Sequence, residues 1–272
     1  MADTLLDDVA ELLRDTAADI VLPLFRKLDE ADITEKAPGE LVTVADQRAE
    51  EMITAGLRRL RPGSVVVGEE AVAADPGLLR HLGGGGDVWV VDPIDGTANF
   101  AAGRRPFALM VALLTDGEPV ASWILDPLAG TLATARAGAG TRLDGHRVEP
   151  PVAGAGPAAL LGSVTTRYLP AATRQRVEAG ATRLGGLVPG HHCAGREYLD
   201  LLTGQRQYVL FWRTMPWDHA PGTLLLREAG GVANRLDGSA YHPAEEGLGL
   251  LIAASPQVWT EVHDALLGEL GH

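Results

Sequence analysis

The chain has 272 residues, 46% of them hydrophobic, enough for a large core in one domain or two fused halves. Acidic side chains outnumber basic ones 36 to 23, and the net charge of −13 speaks against a nucleic-acid polymer or an anionic membrane as partner. The one cysteine, Cys193, excludes an intrachain disulfide, and no apolar run approaches the roughly 20 residues of a membrane helix, so a cytoplasmic protein is expected.

Leu5, Val9, Leu12, Leu13, Ile20, Val21 and Leu24 recur at helical spacing and predict a helix over 4–28 that Pro23 kinks or shortens. The acidic N-terminus has none of the basic and apolar character of a signal peptide. After a polar loop, Leu41-Val42-Thr43 leads into a helix over about 44–60, stopped by Pro62-Gly63. Ser64–Val67 reads as a short buried strand ending at Gly68-Glu69-Glu70, and 71–86 as helix and loop. A strand over 87–92 follows, then strands at about 107–115, 119–125 and 131–136 and a hairpin around Leu143-Asp144-Gly145-His146. Pro150 to Pro157, rich in Pro, Gly and Ala, is the candidate link between an N-terminal half, about 1–150, and a C-terminal half, about 158–272. Beyond it the pattern predicts strands at 159–164, 206–212, 231–236 and 249–254, and helices at 170–184, 194–203, 218–229 and 256–268. The fold class is mixed α/β, with layers of sheet and helix.

The densest chemistry lies in Trp89-Val90-Val91-Asp92-Pro93-Ile94-Asp95-Gly96-Thr97-Ala98-Asn99-Phe100. A buried strand ends in two carboxylates and a hydroxyl, and Pro93 and Gly96 force a turn between them. Buried carboxylates must be paired, hydrogen-bonded or metal-bound, and hard oxygen ligands suit Mg²⁺. With Lys27 and Lys36 the only lysines, metal is favoured over salt bridges, although arginines remain available. Asp46, Glu69-Glu70 and Asp218 also stand at strand ends or helix starts, where α/β proteins build ligand sites. Taken singly, Asp46 and Asp218 read first as helix caps or first-turn acids.

Four blocks carry a resemblance: Lys36 through Leu41-Val42-Thr43-Val44-Ala45-Asp46, Gly68-Glu69-Glu70, Asp92 through Phe100, and Trp217-Asp218-His219-Ala220-Pro221-Gly222 running to Glu228-Ala229-Gly230-Gly231. In these the chain resembles the inositol monophosphatase family of lithium-sensitive, Mg²⁺-dependent phosphatases. The resemblance implies one α-β-α-β-α sandwich of the inositol monophosphatase and fructose-1,6-bisphosphatase type, spanning residues 1–272 and commonly a homodimer. It implies two or three Mg²⁺ ions: a first on Glu69, Asp92 and the Ile94 carbonyl, a second on Asp92, Asp95 and Asp218, and a third on Asp46 and Glu69 through waters. Thr97, assisted by Asp46, orients the attacking water. The Gly96 and Thr97 amides cradle the phosphate, and no phosphoenzyme forms.

The substrate side departs from the inositol-selective pattern. Phe211 stands where an acidic residue contacts ring hydroxyls, and His192-Cys193-Ala194 replaces the usual small-residue stretch. An apolar ring accepts no hydroxyl hydrogen bond, so a sugar bisphosphate, histidinol phosphate or nucleotide 3′-phosphate remains open beside an inositol phosphate. Arg104 and Arg105 fit an anionic contact or an exposed loop equally. Cys193 is no phosphatase nucleophile, because Leu199 holds the place of the required arginine, and His191-His192-Cys193 lacks a second pair of zinc ligands. Asp92 and Asp95 are three apart, whereas an aspartyl-phosphate enzyme needs acids two apart. A non-catalytic, metal-stabilised binder of the same fold is the reading from another class.

Overall fold

The computed structural model describes residues 2–149 and 156–268. Most of the predicted link over Pro150–Pro157 therefore lies outside the described residues. Val65–Gly68, Asp87–Asp95, Ala108–Thr115 and Glu118–Asp126 form one side of a seven-stranded sheet, completed by Thr131–Arg136, Gly140–Leu143 and His146–Arg147. The first pair is parallel and the rest antiparallel. These apolar runs are continuous because helices cover both faces of the sheet.

One irregularity in this sheet matters for chemistry. Asp92 pairs with Met110 and Asp95 with Ala108, so three steps on one strand match two on its neighbour. In a regular strand, residues three apart point to opposite faces. The bulge at Pro93-Ile94 absorbs the extra residue and allows Asp92 and Asp95 to meet on one side.

Helices Ala2–Thr16 and Val44–Leu60 cover one face, where Val9, Leu13, Ile53 and Leu57 bury against Trp89, Val91 and Trp123. Helices Ala194–Leu202 and Pro216–Glu228 cover the other, packing Tyr198, Leu201 and Leu225 with Met110, Ile124 and Ala133. Their far side meets a second sheet of five strands, in the order Gly186–Leu187, Leu161–Val164, Tyr208–Phe211, Leu250–Ala253 and Val232–Arg235. Strand alternation divides that sheet: Val209 and Phe211 face the inner helices, while Tyr208 and Leu210 join the outer core. Helices Ala171–Ala181 and Pro256–Leu266 close the outer face. The predicted α-β-α-β-α order is observed.

Several elements differ in detail from the sequence reading. The first helix runs only to Thr16, continues as a π-turn over Ala17–Val21 and ends at Leu24 beside Pro23. Leu41-Val42-Thr43 belongs to a strand, Glu40–Thr43, hairpinned to Ile33–Ala37 where a loop was expected. The strand carrying Asp92 extends to Asp95, and a short helix, Thr97–Ala101, follows it. Among the described residues, no helix is long and apolar enough to cross a membrane.

Candidate active site and metal centre

Asp92, Asp95 and Asp218 each place a possible ligand atom within 4.8 Å of the others. The sheet bulge supplies the first two. Pro216 opens the helix Pro216–Glu228 and sets Asp218 in its first turn. Asp92 is 1% exposed, and its Oδ1 has no hydrogen-bond partner. Burial, followed by the charges of Glu69, Asp95 and Asp218, pushes the Asp92 carboxyl well above the usual range. Asp218 is pushed the same way by burial, then by Asp95 and Glu69.

Asp95 is held from the other half of the chain. Its carboxylate accepts from the Ala194 amide at 3.0 Å, the Gly195 amide at 2.6 Å and the Cys193 thiol at 3.0 Å. These donors sit at the start of the helix Ala194–Leu202, where amides lack intrahelical partners. Burial still raises the Asp95 pKa, with the three donors opposing it.

Asp46 serves as helix cap and site residue at once. Its Oδ2 accepts from the Thr43 amide at 2.8 Å and the Thr43 hydroxyl at 2.6 Å, closing a capping box. Its Oδ1 faces the Thr97 hydroxyl at 3.0 Å, and the Ile94 carbonyl lies 3.0 Å from the same hydroxyl. Burial lifts the Asp46 pKa to about 6. Gly96, with φ of 87°, makes the turn between Asp95 and Thr97, and an added Cβ there would lie 3.1 Å from the Pro106 carbonyl.

Glu69 lies outside the tight trio. Its Oε1 is 2.5 Å from Lys36 Nζ, and Glu70 Oε1 is 2.8 Å from the same ammonium. Lysine scarcity was therefore a poor guide at this edge, because one of the only two lysines does form the salt bridge. Burial lifts Glu69 to about 7 while Lys36 works against it. Beneath this edge, Glu50 accepts from the Glu70 and Ala71 amides at 2.8 Å each. Gly68 is required by that contact, since a Cβ there would sit 2.3 Å from the Glu50 carboxyl carbon. The sequence reading missed Glu50, although its place four residues after Asp46 marks the same helical face.

A cavity of about 960 Å³ opens beside Asp95, Asp218, Glu69 and Lys36. His192, Cys193, Ala194 and Phe211 line it as anticipated, and Cys193 is a buried thiol in its wall. Arg104 and Arg105 are exposed and are not part of this lining. His191 Nε2 lies 2.7 Å from Asp200 Oδ2 and the Cys193 thiol goes to Asp95, so the two part company rather than share a metal. The segment before Cys193 is held by Asn99, which donates to the His191 carbonyl at 2.9 Å, and by Glu197, which accepts from the His191 amide at 2.7 Å.

A model of the inositol monophosphatase family matches residues 3–271. The chain belongs to the inositol monophosphatase family. Among its relatives, a Nus factor SuhB of Pseudomonas aeruginosa is 32% identical over 233 residues, 82% of this chain and 83% of the relative. An inositol-1-monophosphatase of Mesorhizobium japonicum is 33% identical over 220 residues, 79% of each chain. An inositol monophosphatase (IMPase) of Thermotoga maritima shares the fold with a TM-score of 0.79, over 98% of this chain and 100% of that one, at 22% identity. As a member of the inositol monophosphatase family the chain is a phosphomonoesterase.

The acidic trio fits the family's requirement for metal on its own chemistry. Asp92 Oδ1 is buried without a donor, and among the described residues no lysine or arginine forms an ion pair with Asp92, Asp95 or Asp218. The nearby Arg213 is bound to Glu40 at 2.6 Å. Three buried carboxylates whose ligand atoms gather this closely could hold a divalent cation.

Proposed function

We propose that this protein hydrolyses a small phosphorylated alcohol at the cavity beside Asp92, Asp95 and Asp218, with Mg²⁺ as cofactor. The observation that carries the reading is the convergence of those three carboxylates with no ion-paired lysine or arginine among the described residues. They, with Glu69 and the Ile94 carbonyl, are the groups that would hold two or three ions. Bound there, the metal supplies charge neutralisation for an ester carrying about two negative charges.

The chain's own residues handle the water. Thr97 donates a hydrogen bond to Asp46 Oδ1, which leaves the Thr97 oxygen as an acceptor for a water beside the phosphate. As the water oxygen bonds to phosphorus and the ester P–O bond breaks, a water proton passes to Thr97 Oγ1 and the Thr97 proton to Asp46. A carboxyl of pKa about 6 is suited to receive it near neutral pH. The departing alcohol oxygen takes its proton from solvent. The Gly96 and Thr97 amides cradle the phosphate.

The resemblance also carries lithium inhibition and a homodimer, and the free Cys193 suits a reducing cytoplasm. The name Nus factor SuhB on several relatives raises a non-catalytic reading. Thr97 hydrogen-bonded to Asp46 beside the acidic trio favours catalysis over that reading. Phosphate release measured with Mg²⁺ and again in EDTA decides: an enzyme releases phosphate only in the first, a binder in neither.

A further inference from the structure

The cavity is not lined by acids alone. Val164, Leu187, Val188, Phe211, Trp212 and Met215 share its lining with them. Among the described residues five large hydrophobic side chains are 36% exposed or more, and two of them, Tyr168 at 41% and Leu187 at 38%, line this one cavity. Exposed apolar surface gathered in a concave site marks a ligand contact rather than chance.

Two carboxylates of the lining that a polyol could use, Glu197 and Glu40, are committed elsewhere. Glu197 is held by Arg206 Nη1 at 2.6 Å, by the Ser163 hydroxyl at 3.0 Å and by the His191 amide. Glu40 is tied to Arg213. Thr165 and Thr166 bring the wall only uncharged hydroxyls. Phe211 is boxed in, its ring 4.7 Å from that of His219 and stacked on Tyr198 at 6.1 Å, so it cannot withdraw to admit water. A ring of hydroxyls pressed on these apolar side chains would lose hydration and regain only the hydrogen bonds that Thr165, Thr166 and His192 offer. The Arg213 guanidinium lies over the Tyr168 ring at 5.4 Å and steadies it as a platform in the lining.

We infer that the alcohol released at this site carries a flat aromatic or heteroaromatic ring, seated against Phe211, Leu187 and Tyr168 while its phosphate lies at the carboxylates. The inference rests on the phosphomonoesterase reading above and adds the chemical class of the leaving alcohol. A flat ring buries much apolar area with few rotors and stacks on aromatic side chains.

The test compares kcat/KM with Mg²⁺ for four esters: 2-phenylethyl phosphate, adenosine 5′-monophosphate, inositol 1-phosphate and glycerol 2-phosphate. All are phosphates of alkyl alcohols, so differences report the alcohol's contacts more than leaving-group chemistry. At least one ring-bearing ester should exceed both polyol esters by about tenfold or more, and the first two separate an aryl group from a nucleoside as the source. Tyr168→Ala and Leu187→Ser, at exposed positions, should each narrow that preference about fivefold while Tm and circular dichroism hold. Inositol 1-phosphate or glycerol 2-phosphate turned over as well as the ring esters overturns the inference and leaves the phosphatase reading standing. A preference untouched by both substitutions also overturns it. No Mg²⁺-dependent release from any of the four overturns the reading beneath it, and the ring assignment with it.

Discussion

The Thr97 hydroxyl meets Asp46 Oδ1 at 3.0 Å, joining the first turns of two helices across 51 residues of sequence. Because Thr43 occupies the other Asp46 oxygen, the carboxylate cannot turn away from Thr97. A rigid acceptor and a hydroxyl with free lone pairs make a water-orienting pair. Thr97→Ala should lower kcat by about a hundredfold or more, within the usual yield of positioned acid–base groups, and leave the Mg²⁺ dissociation constant within about threefold. Thr97→Ser should recover most of the rate. Calorimetric Mg²⁺ titration beside steady-state kinetics separates the two effects, and a loss of Mg²⁺ affinity with kcat intact would contradict the role.

Asp92→Asn and Asp218→Asn should each reduce turnover by about a thousandfold or more, since charge neutralisation at phosphorus is worth several kcal/mol. In EDTA the same variants should melt above the wild type, because each removes a desolvated charge from a repelling group. Addition of Mg²⁺ should reverse that order by stabilising the wild type alone. Thermal scans with and without metal check both halves. Variants that melt lower in EDTA would mean that the carboxylates are compensated within the protein.

Metal-free stability should depend on pH with a particular sign. Glu69 rises from 4.5 to about 7 and Asp46 from 3.8 to about 6 on folding, in each case first because of burial. Between the unfolded and folded values the native state holds more protons than the unfolded chain, so stability falls as pH rises. This contribution is fully present below about pH 4 and is lost as pH climbs through about 6 to 7. In EDTA, Tm should therefore drop between pH 5.5 and 7.5, and saturating Mg²⁺ should flatten the slope. An equal slope in both buffers would place the titrating groups elsewhere.

Glu50 holds the turn that presents Glu69. Glu50→Ala leaves the Glu70 and Ala71 amides without their acceptor, at a cost of about 1–3 kcal/mol. The larger effect should be on metal, with Mg²⁺ affinity reduced about tenfold or more as Glu69 loses its placement. Glu50→Gln, which keeps one acceptor oxygen, should lie between. Calorimetry and denaturant unfolding on the three proteins test this order.

Phe211→Glu places an acceptor in the apolar wall. Inositol 1-phosphate turnover should rise about tenfold relative to ring-bearing esters, through KM more than kcat. No shift in that ratio would remove Phe211 as a selectivity residue.

Local order was largely readable from the chain. The 3.6-residue and continuous apolar patterns placed most helices and strands, because burial on one or two faces leaves its period in the residues themselves. Asp92, Asp95 and Asp218 were nameable because Pro, Gly and buried Val mark where a strand stops and a helix begins. Other features depended on contacts that no local pattern encodes. The hairpin at 33–43 was misread because Leu41-Val42-Thr43 is stabilised by a partner strand rather than by its own periodicity. Lys36 paired with Glu69 and Glu70 across separations of 33 and 34 residues, and Glu50 found its amides 20 and 21 residues on. Above all, acids three apart on a strand face opposite ways unless the ladder slips, and the slip at Pro93-Ile94 appears only once Asp92 and Asp95 are paired to Met110 and Ala108. The sequence alone determined which side chains were available and what each element would be. The tertiary structure decided which of them share a cavity, because hydrogen-bond register and ion pairing are settled between segments, not within them.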